Sequence, residues 1–266
     1  MCLPVDSNVR TWLRCVKVTP LAFEALRHHT SACLQLAHQP LGEEVFDLGT
    51  ALPANLPVPS VRLQRDDPRS SEDCLHLNVW TSWRDLSPTN STKRDNNLLP
   101  VMVWVHGGMY QQGATSDPGF NGASLAVNSN VVVVSIAYRL GPFGFFRHEA
   151  LDDDETDDDN GNWGLQDQRA ALQWVRSNIV AFGGDPERVL LVGGSTDAVS
   201  VCLHLISPRS CGLFAAAAMH SGFCDATPPK FALACGVNLT NAVNCSGGDD
   251  TAQCLRSLDV RGESPF

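Results

Sequence analysis

Residues Val189–Val201 read VLLVGGSTDAVSV. The run VLLV has the length and β-branched character of a buried strand, and TDAVSVCLHLIS after it carries apolar residues at helical spacing. Strand, tight turn, helix is the shape of a nucleophile elbow, in which the serine stands between glycines two places before and two after it. Gly193 fits that pattern, and Asp197 stands where the second glycine belongs. The same residues also fit a plainer role, in which Ser195, Thr196 and Asp197 offer side-chain oxygens to cap the helix they precede. Taken alone the stretch favours the cap, so the choice rests on the rest of the chain.

Upstream, CLHLNVW (Cys74–Trp80), VMVWVHG (Val101–Gly107) and VVVVSIAY (Val131–Tyr138) read as strands, the first two parted by the polar loop SPTNSTKRDNN. Leu165, Leu172, Val175, Ile179 and Phe182 share one helical face, and Gly183, Gly184 and Pro186 stop that helix. FAAAAMH (Phe214–His220) predicts a further strand. Strands alternating with helices indicate a parallel-rich α/β sheet. Residues 1–32 show no clear period, and residues 40–70, rich in Pro, Leu and charge, read as irregular loop.

The chain has 266 residues, 43% of them hydrophobic, enough for one globular domain with a large core. Its net charge is -10, but the run DDDETDDD (Asp152–Asp159) carries seven acidic residues, which leaves -3 for everything else. That run reads as a solvated surface loop, because its carboxylates do not follow the order of a calcium-binding helix–loop–helix. Nucleic-acid binding gains no electrostatic support. No apolar stretch approaches the roughly 20 residues that span a bilayer, and MCLPVDSNVRTWLRC lacks the apolar core of a signal peptide. Ten cysteines without a C-x-x-C pair point to disulfides rather than metal. The acceptor triplets at Asn90, Asn238 and Asn244 agree with a secretory setting, so the chain reads as a secretory-pathway glycoprotein whose leader is not visible in these residues.

HGG at 106–108 follows the strand VMVWV, where a loop donating backbone amides to an oxyanion would sit. Gly107, Gly108 and Thr196 are the candidate donors. With SEDCLHLNVW, HGGMYQQG, YRLGPFGFF, GNWGLQDQRAALQWVRSNIVAFGGDP and LISPRSCGLFAAAAMHSG in this order, the chain resembles the type B carboxylesterase and cholinesterase family over about Cys33–Ser257. The resemblance implies an α/β-hydrolase fold, present here as an incomplete, N-terminal half of the domain with a truncated sheet. It divides the chain into an atypical segment 1–32 and a partial carboxylesterase domain 33–266, with the family's first strands absent or replaced. It also implies hydrolysis of a small-molecule carboxylic ester by a Ser, Glu, His triad, without cofactor or metal, and it puts Ser195 in the nucleophile's place.

Against the family's Gly-Glu-Ser-Ala-Gly, this chain has Gly194, Thr196 and Asp197, and Met109 replaces the third glycine of the oxyanion loop. Met109 and Asp197 are expected to crowd the pocket, and Asp197 to bring charge of the wrong sign near the oxyanion. The resemblance places the triad Glu and His beyond Phe266. His220 ends the strand after the elbow helix, at a position that is glutamine-like and structural in the family, and reads as a packed or surface histidine. The chain is therefore expected to be inactive as it stands. The alternatives are a non-catalytic adhesion or binding relative with a protein partner, and an incomplete gene-model fragment. The resemblance further implies disulfides Cys33–Cys74 and Cys245–Cys254, and scaffold charges at Glu72, Asp73, Arg139 and Asp167. No Trp lies between Cys33 and Cys74, so the choline-stacking feature of cholinesterases is not matched.

Overall fold

The computed structural model describes residues 74–82, 98–115, 117–152, 161–224, 226, 228–247 and 250–257. The segment 1–32, Cys33, the loop 40–70, Glu72, Asp73, Asn90 and nearly all of the acidic run lie outside the described residues.

In chain order the elements are β1 (Leu77–Trp80), β2 (Leu99–Val105), α1 (Ala123–Ser129), β3 (Val132–Ile136), α2 (Gly141–Phe145), α3 (Trp163–Asn178), β4 (Gly184–Gly194), α4 (Thr196–Ile206), β5 (Ala216–His220), α5 (Pro229–Ala242) and α6 (Thr251–Ser257). The five strands form one sheet in the order β1-β3-β2-β4-β5. β1 runs antiparallel to β3, and the other pairings are parallel. Among the described residues this is a mixed sheet typical of the α/β-hydrolase fold.

The side-chain alternation of a strand explains the layers. On β2, Val101, Val103 and Val105 are fully buried and join Val132, Val134, Ile136, Val189 and Leu191 in one cluster, closed by Leu172 and Val175 of α3 and Val201 of α4. Val133 points the other way and packs with Trp80 and with Ala126 of α1. Burying each such valine or leucine stabilises the fold by roughly 1.5–3 kcal/mol. The sheet is thus covered on both faces by helices that return the chain to the next parallel strand.

Two expectations need correction. The helix stops before Gly183 as expected, but the strand after it is longer than the run VLLV. A short 3-10 turn, Ile179–Phe182, ends at Gly183 with φ 76°, and β4 begins at once with Gly184. The strand is eleven residues long because its outer half pairs with β2 through Leu99 opposite Gly184, across an irregularity that accommodates Pro186. The strands on either side are also shorter at one end than their apolar runs, since Cys74–His76 and Phe214–Ala215 lie outside the regular ladder.

Candidate active site at the elbow

Ser195 sits between β4 and α4 with φ 59° and ψ −122°. A non-glycine residue at positive φ is strained, and it persists only where the surroundings hold it. Here the Ser195 N–H donates to the His220 carbonyl at 2.8 Å, and its own carbonyl accepts from Ala198 at 3.0 Å. Gly222 lies so close that a Cβ there would stand 2.5 Å from the Ser195 carbonyl oxygen. Ser195 makes no side-chain cap bond to α4, which corrects the capping alternative: the backbone carries the side chain up and outward, exposed.

The loop after β2 comes up against this turn. A Cβ on Gly107 would stand 2.6 Å from the Gly194 carbonyl oxygen, so only glycine lets the two backbones approach. Gly108 has φ 138°, and Met109 and Tyr110 follow at φ 59° and 58°. Met109 donates its N–H to Thr196 Oγ1 at 3.0 Å, while the Tyr110 hydroxyl reaches the Thr196 carbonyl at 3.2 Å and Ser200 Oγ at 2.9 Å. The loop Gly107–Tyr110 is therefore latched to the residue after Ser195. Among the described residues no hydrogen bond consumes the amide N–H of Gly108 or of Thr196, the first residue of α4. Helix N-terminal amides of this kind present partial positive charge.

Asp197 does not crowd the pocket, contrary to the expectation from sequence. Two residues turn a helix by about 200°, so with Ser195 outward Asp197 faces the core. It is completely buried, and its carboxylate meets Tyr138 Oη at 2.6 Å, Gln168 Nε2 at 3.0 Å and Ser200 Oγ at 3.0 Å. Burial raises its pKa to about 7, against the pull of those three hydrogen bonds. The expected wrong-sign charge beside the oxyanion is thus turned into the scaffold. Met109 likewise is 66% exposed, its side chain standing at the surface.

A chain of polar groups continues beneath the elbow. Burial lowers the His204 pKa to about 4, so its ring is neutral; Nδ1 pairs with Ser210 Oγ at 2.9 Å and Nε2 with Gln168 Oε1 at 3.0 Å. A neutral ring facing a carbonyl oxygen through Nε2 donates there and accepts at Nδ1. That fixes the Gln168 amide with Nε2 toward Asp197. Beside it, Arg139 forks onto Asp167 through Nε and Nη2, both at 2.7 Å, a scaffold pair as the resemblance implied. Tyr138, Gln168, Ser200 and His204 escaped the sequence reading, because none stands in a local motif with Ser195.

His220 contributes its carbonyl to the elbow, and its exposed ring pairs through Nδ1 with Ser221 Oγ at 3.0 Å. Cys245 and Cys254 are bonded as expected. A second disulfide, Cys202–Cys224, joins α4 to the segment after β5 and was not foreseen. Both are bonds of the kind favoured in an oxidising compartment. Cys74 is buried, and its proposed partner is outside the described residues. Asn238, within α5, and Asn244 are exposed. No described helix is long and apolar enough to cross a membrane.

An exposed serine on a strained strand–helix turn, faced by a glycine loop and a helix N-terminus, is the geometry of a nucleophile elbow in the α/β-hydrolase fold. The carboxylesterase family profile matches residues 25–262, and the chain belongs to that family. It is 44% identical over 183 residues to the para-nitrobenzyl esterase of Bacillus subtilis (strain 168), covering 68% of this chain and 34% of the relative. It is also 44% identical over 196 residues to acetylcholinesterase of Gallus gallus, covering 71% of this chain and 24% of the relative. The solved structure of a PNB esterase superposes with a TM-score of 0.62 at 38% identity, covering 72% of this chain and 38% of that one. The chain spans about a quarter to a third of the length of these curated relatives.

Proposed function

We propose that these residues carry the nucleophile and oxyanion half of a carboxylic ester hydrolase of the secretory pathway, with Ser195 as nucleophile. The observation that supports this most is the strained Ser195 backbone, held at φ 59° by hydrogen bonding to His220 on β5. In the complete reaction Ser195 Oγ attacks the ester carbonyl while a base takes its proton. The carbonyl oxygen becomes an oxyanion before the amides of Gly108 and Thr196, with Gly107 letting the loop approach. The alcohol leaves with a proton, and water then releases the acid from the acyl-serine.

Among the described residues no side chain hydrogen-bonds Ser195 Oγ, and this reading takes the proton acceptor from elsewhere in the protein. The family resemblance supplies it from a later His and Glu. On this reading the 266-residue chain alone does not turn over, because an unactivated serine hydroxyl is a weak nucleophile. The test is hydrolysis of an activated aryl ester together with labelling by an organophosphonate. The expected rate equals that of Ser195→Ala, with no label on Ser195. Stoichiometric labelling of Ser195 in the unaltered chain would mean that a base is present, His220 being the first to mutate.

A further inference from the structure

Under the elbow the Tyr138 hydroxyl makes one contact more than its own hydrogen allows. Tyr138 Oη lies 3.0 Å from the His106 carbonyl oxygen and 2.6 Å from Asp197 Oδ2. A phenol has one hydrogen, and neither a carbonyl nor an ionised carboxylate has any to give. Each contact is a full two-centre hydrogen bond only if a proton sits on Asp197 Oδ2; against an ionised carboxylate the single phenol hydrogen would be shared between two acceptors. With the proton in place Asp197 donates to Tyr138 Oη, and the Tyr138 hydroxyl donates onward to His106.

We propose that Asp197 is a positioning residue held in its neutral acid form, whose proton directs the Tyr138 hydroxyl onto the His106 carbonyl and so ties the oxyanion loop to the nucleophile elbow. Three elements meet there: His106 ends β2 and precedes Gly107, Tyr138 follows β3, and Asp197 lies in the first turn of α4. Loss of the proton would turn the Tyr138 hydroxyl to the carboxylate and leave the His106 carbonyl without its donor. The placement of the proton does not depend on whether Ser195 reacts; its consequence for the oxyanion loop rests on the function proposed above.

The surroundings agree. The Asp197 carboxylate is fully buried, and its hydrogen-bonding partners are uncharged. From α3 it faces Gln168, whose oxygen is committed to neutral His204, and the adjacent Arg139 forks onto Asp167. From the loop, burial pushes the Tyr110 phenol up to about 12, and Tyr138, raised by burial and then by Asp197 itself, stays a phenol. Burial lowers the pKa of the His106 ring, which stacks on Tyr138 with centroids 4.8 Å apart. The ionised form would be a buried anion without a cation beside it, the state that drives a carboxylate to take up a proton.

An asparagine copies the acid form: its Oδ1 still accepts from Gln168 and Ser200, and its Nδ2 donates to Tyr138 Oη. Infrared spectra of the chain should show a protonated-carboxyl stretch at pH 6 that disappears with a midpoint near 7, is absent from Asp197→Asn, and shifts in frequency in Tyr138→Phe, where its acceptor is gone. In urea unfolding, the midpoint of the unaltered chain should fall as pH rises from about 4.5 to 7.5, relative to Asp197→Asn. The sign follows from a folded-state pKa above the unfolded carboxylate's, which makes ionisation cost stability between the two values. A carboxyl band lost by pH 5, or midpoints that run parallel with pH in the two chains, would overturn the proposal. If Asp197→Asn does not fold, the titration of the band and its shift in Tyr138→Phe still decide. None of these measurements needs ester turnover, so a failed esterase assay leaves the outcome readable.

Discussion

Arg139 and Asp167 show at the scale of single residues what holds the site's floor in place. Asp167 is completely buried, takes both prongs of the guanidinium, and also accepts the Arg139 backbone N–H at 3.0 Å. Removing one partner strands the other charge in the interior, which costs about 3–5 kcal/mol in comparable buried pairs. Arg139→Met should therefore lower unfolding stability by that amount in urea titration, whereas a loss under 1 kcal/mol would mean that water reaches the carboxylate. The pair was legible in the sequence only through family resemblance, as scaffold charge. Asp197 shows the limit of such reading from the other side. Its identity announced a departure from the glycine of the family pattern, but whether a side chain faces pocket or core depends on the helix phase set by the Ser195 backbone. That phase turns it into the core, where Tyr138 and Gln168 from two distant parts of the chain, and Ser200 one turn along its own helix, give it partners.

At the scale of elements, the elbow works because β4, α4 and β5 are fixed to one another at more than one point. β4 and β5 pair in parallel up to Gly194 opposite His220, Ser195 extends that ladder by one bond, and Cys202–Cys224 then closes the far side over 22 residues. Closing a loop of that length removes unfolded-state entropy equivalent to about 3 kcal/mol. The double variant Cys202→Ala with Cys224→Ala should lose roughly that much in urea unfolding. Peptide mapping without reductant should recover Cys202–Cys224 and Cys245–Cys254 as linked pairs, and free thiols at 202 and 224 in material from an oxidising compartment would refute the bond. The strands β2 and β3 could be read as apolar, β-branched runs that the sheet buries, and the helix α3 from the spacing of its one buried face. Cys202–Cys224 could not, since the spacing of two cysteines says nothing of which pairs a fold brings together. The length of β4 was hidden for a related reason: Gly183, Gly184 and Pro186 read as the end of a helix, and only pairing with Leu99 makes Gly184 and Pro186 strand.

For the whole molecule the decisive feature is where the sheet stops. β5 is an edge, and among the described residues no strand lies beyond it. Four of its five residues are exposed, all but Ala217, and Phe223, Ile206 and Phe231 elsewhere on the described surface are exposed too, at 71%, 68% and 56%. A flat edge without charged side chains offers unpaired backbone groups to any other strand, and exposed apolar side chains of this size favour association. The net charge of -10 opposes aggregation only weakly here, since the acidic run supplies most of it and lies elsewhere in the sequence. The 266-residue chain should therefore bind a hydrophobic dye and sediment heavier than a monomer. Placing lysines on the edge, Ala216→Lys with Ala218→Lys, should reduce both signals, because charge on an edge blocks further pairing without touching the core. Phe223→Ser should lower the dye signal while leaving strand pairing intact, which separates the two causes. A dye-silent monomer with a sharp cooperative thermal transition would show instead that residues outside the described set cover β5, and that the sheet is closed within this chain.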